Sequence, residues 1–184
     1  MAAPWLDVDR AAVERGLRAL RCSNHEIRWT VDLVERWGRV GPALRAALLA
    51  GAPSDAQIRR WAAAAGRVLV ADLLRVAAAR FAAEREAGTE APDAARVRSL
   101  YRRAVRIAYR DPIGQGDLAV TGRDLMAAGV APGPGLGIIL HRLLEAVVED
   151  PAENDRERLL ARARTLAAER PAGAGRGANA DPNS

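Results

Sequence analysis

The stretch RVRSLYRRAVRIAYR, residues 96–110, holds six arginines and no acidic residue. Wound as a helix at about 100° per residue, Arg96, Arg98, Arg102, Arg103, Arg106 and Arg110 fall on one half of the circumference. Val97, Leu100, Ala104, Val105, Ile107 and Ala108 take the other half together with Tyr101, while Tyr109 lands near the arginines. The apolar half must pack inward, which leaves a band of positive charge with no counter-ion on its own helix. Like charges three or four residues apart repel by about 0.2–0.5 kcal/mol per pair. Acids on neighbouring helices would offset that cost, and so would an anionic ligand such as a phosphate backbone. At this level both readings stand.

A second feature is the corner in TGRDLMAAGVAPGPGLGIILHRLLEAVVED, residues 121–150. Thr121 with Asp124 three residues on predicts a short capped helix, and Gly129 supplies the left-handed residue that ends it. Pro134 suits the first turn of the next helix, whose approach carries Gly133, Gly135 and Gly137. The first N–H groups of a helix lack intrahelical partners, and missing side chains allow close approach. Either a phosphate or a neighbouring helix could use that space.

Other chemistry has less footing. The pair Asp7 and Asp9 is the one D-x-D, and it reads as a polar lead into the first helix; we expect no metal site. His25 and His141 are distant in sequence, and the single cysteine, Cys22, allows neither an intrachain disulfide nor a cysteine-based zinc site. No Ser-His-Asp or Cys-His arrangement stands out, so no catalytic residue is expected in this chain.

The elements that must position these residues read as helices. Hydrophobic residues make up 49% of the 184-residue chain but aromatics only 4%, and alanine supplies much of the difference, which favours closely packed helices over sheets. The expected fold is all-α: a compact multi-helix array over residues 1–170 with a disordered tail, PAGAGRGANADPNS, at 171–184. Helices are predicted from Asp9 to Arg21, from Asn24 to Trp37 behind a Ser23/Glu26 capping box, and as a short segment starting at Pro42 and ending at Gly51. Further helices follow from Ser54 to Ala65, over 67–86, over 93–110, and last behind an Asn154 cap with Glu157. All 28 basic residues are arginine against 23 acids, giving +5 and a pI near 10.7, a balance that favours nucleic acid among macromolecular partners. The N-terminus has no leader pattern and no segment reaches membrane-spanning length, so a cytoplasmic protein without membrane contact is expected.

Residues 118–160 closely resemble the C-terminal region of bacterial tRNA nucleotidyltransferases, the CCA-adding enzymes, and of related poly(A) polymerases. The typical pattern G-x-D-L-x-x-x-G-x-x-P-G-x-x-x-G-x-x-L is met by Gly122, Asp124, Leu125, Gly129, Pro132, Gly133, Gly137 and Leu140, and an asparagine with R-E-x-L-L by Asn154 and residues 156–160. Upstream, Arg21, Ser23, Asn24 and Glu26 resemble the family's R-x-S-N-x-E junction, and residues 58–80 its following helical region.

The resemblance implies an all-helical domain that holds tRNA while a catalytic head works on the 3′ end. Nucleotidyl transfer there uses carboxylates on a sheet with two divalent metals, and the chain lacks the glycine-serine turn and carboxylates of that head. Mg²⁺ and CTP or ATP would therefore belong to the missing head, and the chain alone is expected not to be an enzyme. The candidate RNA contacts are Arg96, Arg102, Arg103, Arg106 and Arg110 with Arg123, Gly133, Gly135, Gly137 and Arg142. One alternative is a non-catalytic subunit completing a separately encoded nucleotidyltransferase head. Another is a helix-turn-helix DNA binder around Gly66, whose recognition helix would be mostly Leu, Val and Ala.

Overall fold

The computed structural model describes residues 5–169, which form eight α-helices; the expected tail at 171–184 lies outside them. Helix α1 (Arg10–Ala19) starts at Asp9, whose carboxylate accepts the Ala12 N–H at 3.0 Å. It ends at Arg21, which takes the left-handed conformation at φ 58°. Ser23 and Glu26 then form the predicted capping box of α2.

The predicted break in α2 does not occur. A single helix runs from Asn24 to Ala50 with Pro42 inside it. Packing overrides the local breakers Gly38, Gly41 and Pro42, because Leu33, Trp37, Val40, Leu44 and Leu48 are all buried in one core. Gly41 serves that packing, since a Cβ added there would lie 2.4 Å from the Trp37 indole ring and clash with it.

Helix α3 (Asp55–Ala65) has a Ser54/Gln57 capping box and stops at Gly66, which takes φ +81°. Helix α4 (Val70–Glu86) begins three residues later than predicted, because 67–69 form a turn in which the Leu69 and Val70 N–H groups donate to the Gly66 carbonyl. Its buried residues Leu73, Leu74, Ala77 and Phe81 face the same core, as expected for a central helix and unlike a presented recognition helix. Helix α5 (Ala94–Arg110), capped by Asp93, packs against both α3 and α4. Between α2 and α4, Glu84 accepts hydrogen bonds from Arg45 and Arg80, while those guanidiniums lie over the Phe81 and Trp37 rings.

A second core gathers Leu125, Ile139, Leu143, Val147 and Leu159 from α6 (Gly122–Ala127), α7 (Pro134–Glu149) and α8 (Arg156–Ala168). The Thr121/Asp124 capping box forms as predicted, and Asp124 also takes Arg156 of α8 at 2.7 Å. Asn154 does not cap α8. Asp155 does, accepting from the Glu157 and Arg158 N–H groups at 3.0 Å each. The Asn154 amide instead bridges the preceding loop, donating to the Asp117 carbonyl at 2.9 Å and accepting the Ala119 N–H at 2.8 Å. A side chain that satisfies both a donor and an acceptor of one loop is worth more there than at a helix start that aspartate can serve.

The two cores meet along α3 and α7, and Arg59 clamps them. Its Nε donates to the Val148 carbonyl at 2.6 Å and one Nη to the Glu149 carbonyl at 2.8 Å; the other Nη reaches Asp111 at 3.3 Å. The C-terminal carbonyls of α7 thus gain a cation where the helix dipole favours one. Arg60 adds an exposed pair with Glu149, and Arg67 one with Asp117.

Two outcomes follow. Arg59→Leu should cost about 2–4 kcal/mol in urea unfolding, since it strands Asp111 and the α7 carbonyls, whereas Arg60→Ala should cost no more than about 1 kcal/mol. The second concerns acid. Donation from Arg156 and Thr121 holds the Asp124 carboxyl below the usual carboxylate range; burial pushes Glu84 up, but its hydrogen bonds to Arg80 and Arg45 more than reverse this. Both folded pKa values lie below the unfolded ones, so this stability is fully present above the ordinary carboxylate range and is lost as pH falls through the folded values. Melting temperatures should hold between about pH 7 and 5 and fall below about pH 4, and Asp124→Asn should start lower but lose less on the way down.

Candidate nucleic-acid interface

Helix α5 buries Val97, Leu100, Ala104, Ile107 and Ala108, as its sequence predicts. Its six arginines, however, divide. Arg96 turns to the end of α2, donating to the Leu48 and Leu49 carbonyls at 3.0 and 3.2 Å. Arg103 grips Asp55 at the start of α3, with Nη2 and Nε at 2.6 and 3.2 Å from one carboxylate oxygen. That hydrogen bond is the main reason the Asp55 carboxyl titrates below its ordinary range. These two arginines therefore act as structural ties, the counter-ion and capping roles that a single helix could not reveal.

The remaining four are exposed. Arg98, Arg102, Arg106 and Arg110 make no salt bridge or side-chain hydrogen bond among the described residues, and Tyr109 stands among them, 64% exposed. Their spacing of four residues aligns them along one stripe of the helix. At its edge lies a hollow of about 490 Å³ between α4 and α5, where Arg98, Tyr101 and Arg102 face Arg75 of α4. The Arg75 guanidinium lies over the Tyr101 ring, 5.7 Å from its centroid, and also pairs with Asp72 at 2.9 Å. Sequence reasoning missed Arg75, since Asp72 three residues earlier marks it only as half of a local ion pair.

The glycine corner ends one helix at Gly129 and starts the next at Pro134 as predicted, but its close approach lies elsewhere. Gly129 at φ +94° and Gly133 at φ +130° need glycine for their backbone conformation. No atom would meet a Cβ within 4 Å at Gly133 or Gly137, so these positions are open; the close approach is at Gly122, where Leu136 would lie 3.3 Å away. The start of α7 offers few donors, since Pro134 has no N–H and the Leu136 N–H already donates to the Gly133 carbonyl at 3.0 Å. Gly135 is partly buried beside them. Arg123 and Arg142 are exposed and make no salt bridge among the described residues. The corner and the arginine stripe are also separate: Val148 shares Arg59 with Asp111, next to Arg110, while Pro134 sits about 20 Å further along α7.

Asp9 caps α1 and Asp7 pairs with Arg80 at 2.6 Å, so the D-x-D carboxylates are committed to the fold. Among the described residues no group of three or more His, Cys, Asp or Glu side chains gathers to hold a metal ion. These residues do not fit a two-metal site. No described helix is long and apolar enough to cross a membrane.

A family model described as tRNA nucleotidyltransferase domain 2 matches residues 68–163, which run from the turn before α4 into α8. The CCA-adding enzyme of Limosilactobacillus fermentum is 48% identical over 59 residues, covering 31% of this chain and 15% of that enzyme. The CCA-adding enzyme of Levilactobacillus brevis is 57% identical over 44 residues, covering 24% of this chain and 11% of the enzyme. The chain thus matches only a small fraction of each relative's length. No solved structure matches it. With more than half of its residues under the family model, the chain belongs to the tRNA nucleotidyltransferase domain 2 family.

Proposed function

We propose that this chain is the tRNA-holding C-terminal portion of a CCA-adding enzyme, and that nucleotidyl transfer requires a catalytic head outside these residues. The observation that carries the reading is the unpaired stripe Arg98, Arg102, Arg106 and Arg110 on α5, which lies within the family-matched stretch. Four aligned guanidiniums repel one another along the helix, and phosphates would relieve that repulsion while accepting forked hydrogen bonds. Such contacts fix position and shape on folded RNA and carry little base information.

On this reading the list of candidate contacts narrows. Arg96 and Arg103 hold carbonyls and a carboxylate of their own fold, so the RNA contacts are assigned to Arg102, Arg106 and Arg110 with Arg98 added. Arg123 and Arg142 form a secondary patch on α6 and α7. The open backbone at Gly133 and Gly137 leaves room for a sugar-phosphate strand beside it.

Binding of the purified chain to full-length tRNA, measured over a salt series beside duplex DNA of matched length, tests this. The expected result is preference for tRNA with a steep salt dependence. The combined change Arg102→Gln, Arg106→Gln, Arg110→Gln should then flatten the log–log slope by about 2–3 while Arg60→Gln leaves it unchanged. Equal binding of tRNA and DNA would sink the tRNA-holding reading.

A further inference from the structure

Beyond phosphate contacts, we infer that the hollow between α4 and α5 is a subsite for one unstacked nucleotide of an RNA chain. The inference rests on the RNA-holding reading and goes further, because it assigns recognition of a base to a place that backbone contacts alone would not require. Its floor is apolar, formed by buried Leu74 and Val97, and its rim carries Arg75, Arg98, Arg102 and the partly buried Tyr101. An apolar floor under three cations suits a ligand with a flat apolar part and a negative part. A nucleotide has both.

The pieces divide the work. Arg75 already lies against the Tyr101 ring, so phenol and guanidinium form a π-rich wall on which a base can stack. Arg98 and Arg102, one helical turn apart and without acidic partners among the described residues, are placed to take the flanking phosphates. The hollow, about 490 Å³, lies within the range of about 300–1,000 Å³ common for small-ligand sites. In a double-stranded stem the base faces are stacked on one another and cannot enter the hollow, so the subsite selects an unpaired nucleotide.

Amide spectra of the ¹⁵N-labelled full chain, titrated separately with tetrauridylate, with inorganic polyphosphate and with a blunt RNA duplex, test the assignment. Tetrauridylate should shift the amides of residues 74–78 and 97–102 saturably and bind more tightly than polyphosphate. Tyr101→Leu should weaken tetrauridylate about tenfold while Tyr101→Phe retains it. Arg98→Gln should lower the salt dependence of the same binding. Polyphosphate binding as tightly with the same shifts, or no loss in Tyr101→Leu, would overturn the subsite and leave a phosphate-only surface. The comparison of ligands on the unaltered chain decides the matter even where a variant folds poorly. Tetrauridylate in the hollow without tRNA preference over DNA would instead sink the tRNA-holding reading alone.

Discussion

The Arg59 guanidinium is the constraint on which the rest of the arrangement depends. It is the partly buried tie between a core built from α2 to α5 and a second built from α6 to α8, and it binds at the one end of α7 where unpaired carbonyls gather. Along the α3–α7 seam these directional bonds join the two cores. A forked cation satisfies two carbonyls and a carboxylate at once, which a lysine at the same position would not match.

That docking sets the distribution of charge. Arginines at the seams are consumed by the fold: Arg96 on the end of α2, Arg103 on Asp55, Arg45 and Arg80 on Glu84, Arg67 on Asp117. Among the arginines without such partners are the outer stripe of α5 and, on α6 and α7, Arg123 and Arg142. With lysine absent, the same residue type thus serves two purposes in this chain, and position relative to the seams separates them. An arginine beside a helix terminus or a carboxylate becomes a tie. One a third of a turn away faces solvent.

The corner residues divide in the same manner. Asp124 and Asn154, which mark the family resemblance, hold the second core through Arg156 and the loop at 117–119. Gly129 and Gly133 supply backbone conformations, and Gly122 supplies space for Leu136. Much of what makes this segment recognisable is accordingly the geometry of a corner, and a role in binding rests on the open backbone beside it.

The sequence by itself determined the helical class, most helix starts, and the amphipathic division of α5, because capping boxes, glycine stops and helical periodicity are local and each acts within a few residues. It also carried the family, through spacings that span the corner. It could not determine that α2 runs through Pro42, since the burial of Trp37 and Leu44 in a shared core outweighs a local breaker. Nor could it assign Asn154, whose partners at 117 and 119 lie 37 and 35 residues away. The division of the arginine face into ties and free cations, and the hollow formed with Arg75, were decided only by tertiary structure. A helix reveals which side faces outward, but whether a carboxylate from another helix waits there depends on how the helices pack.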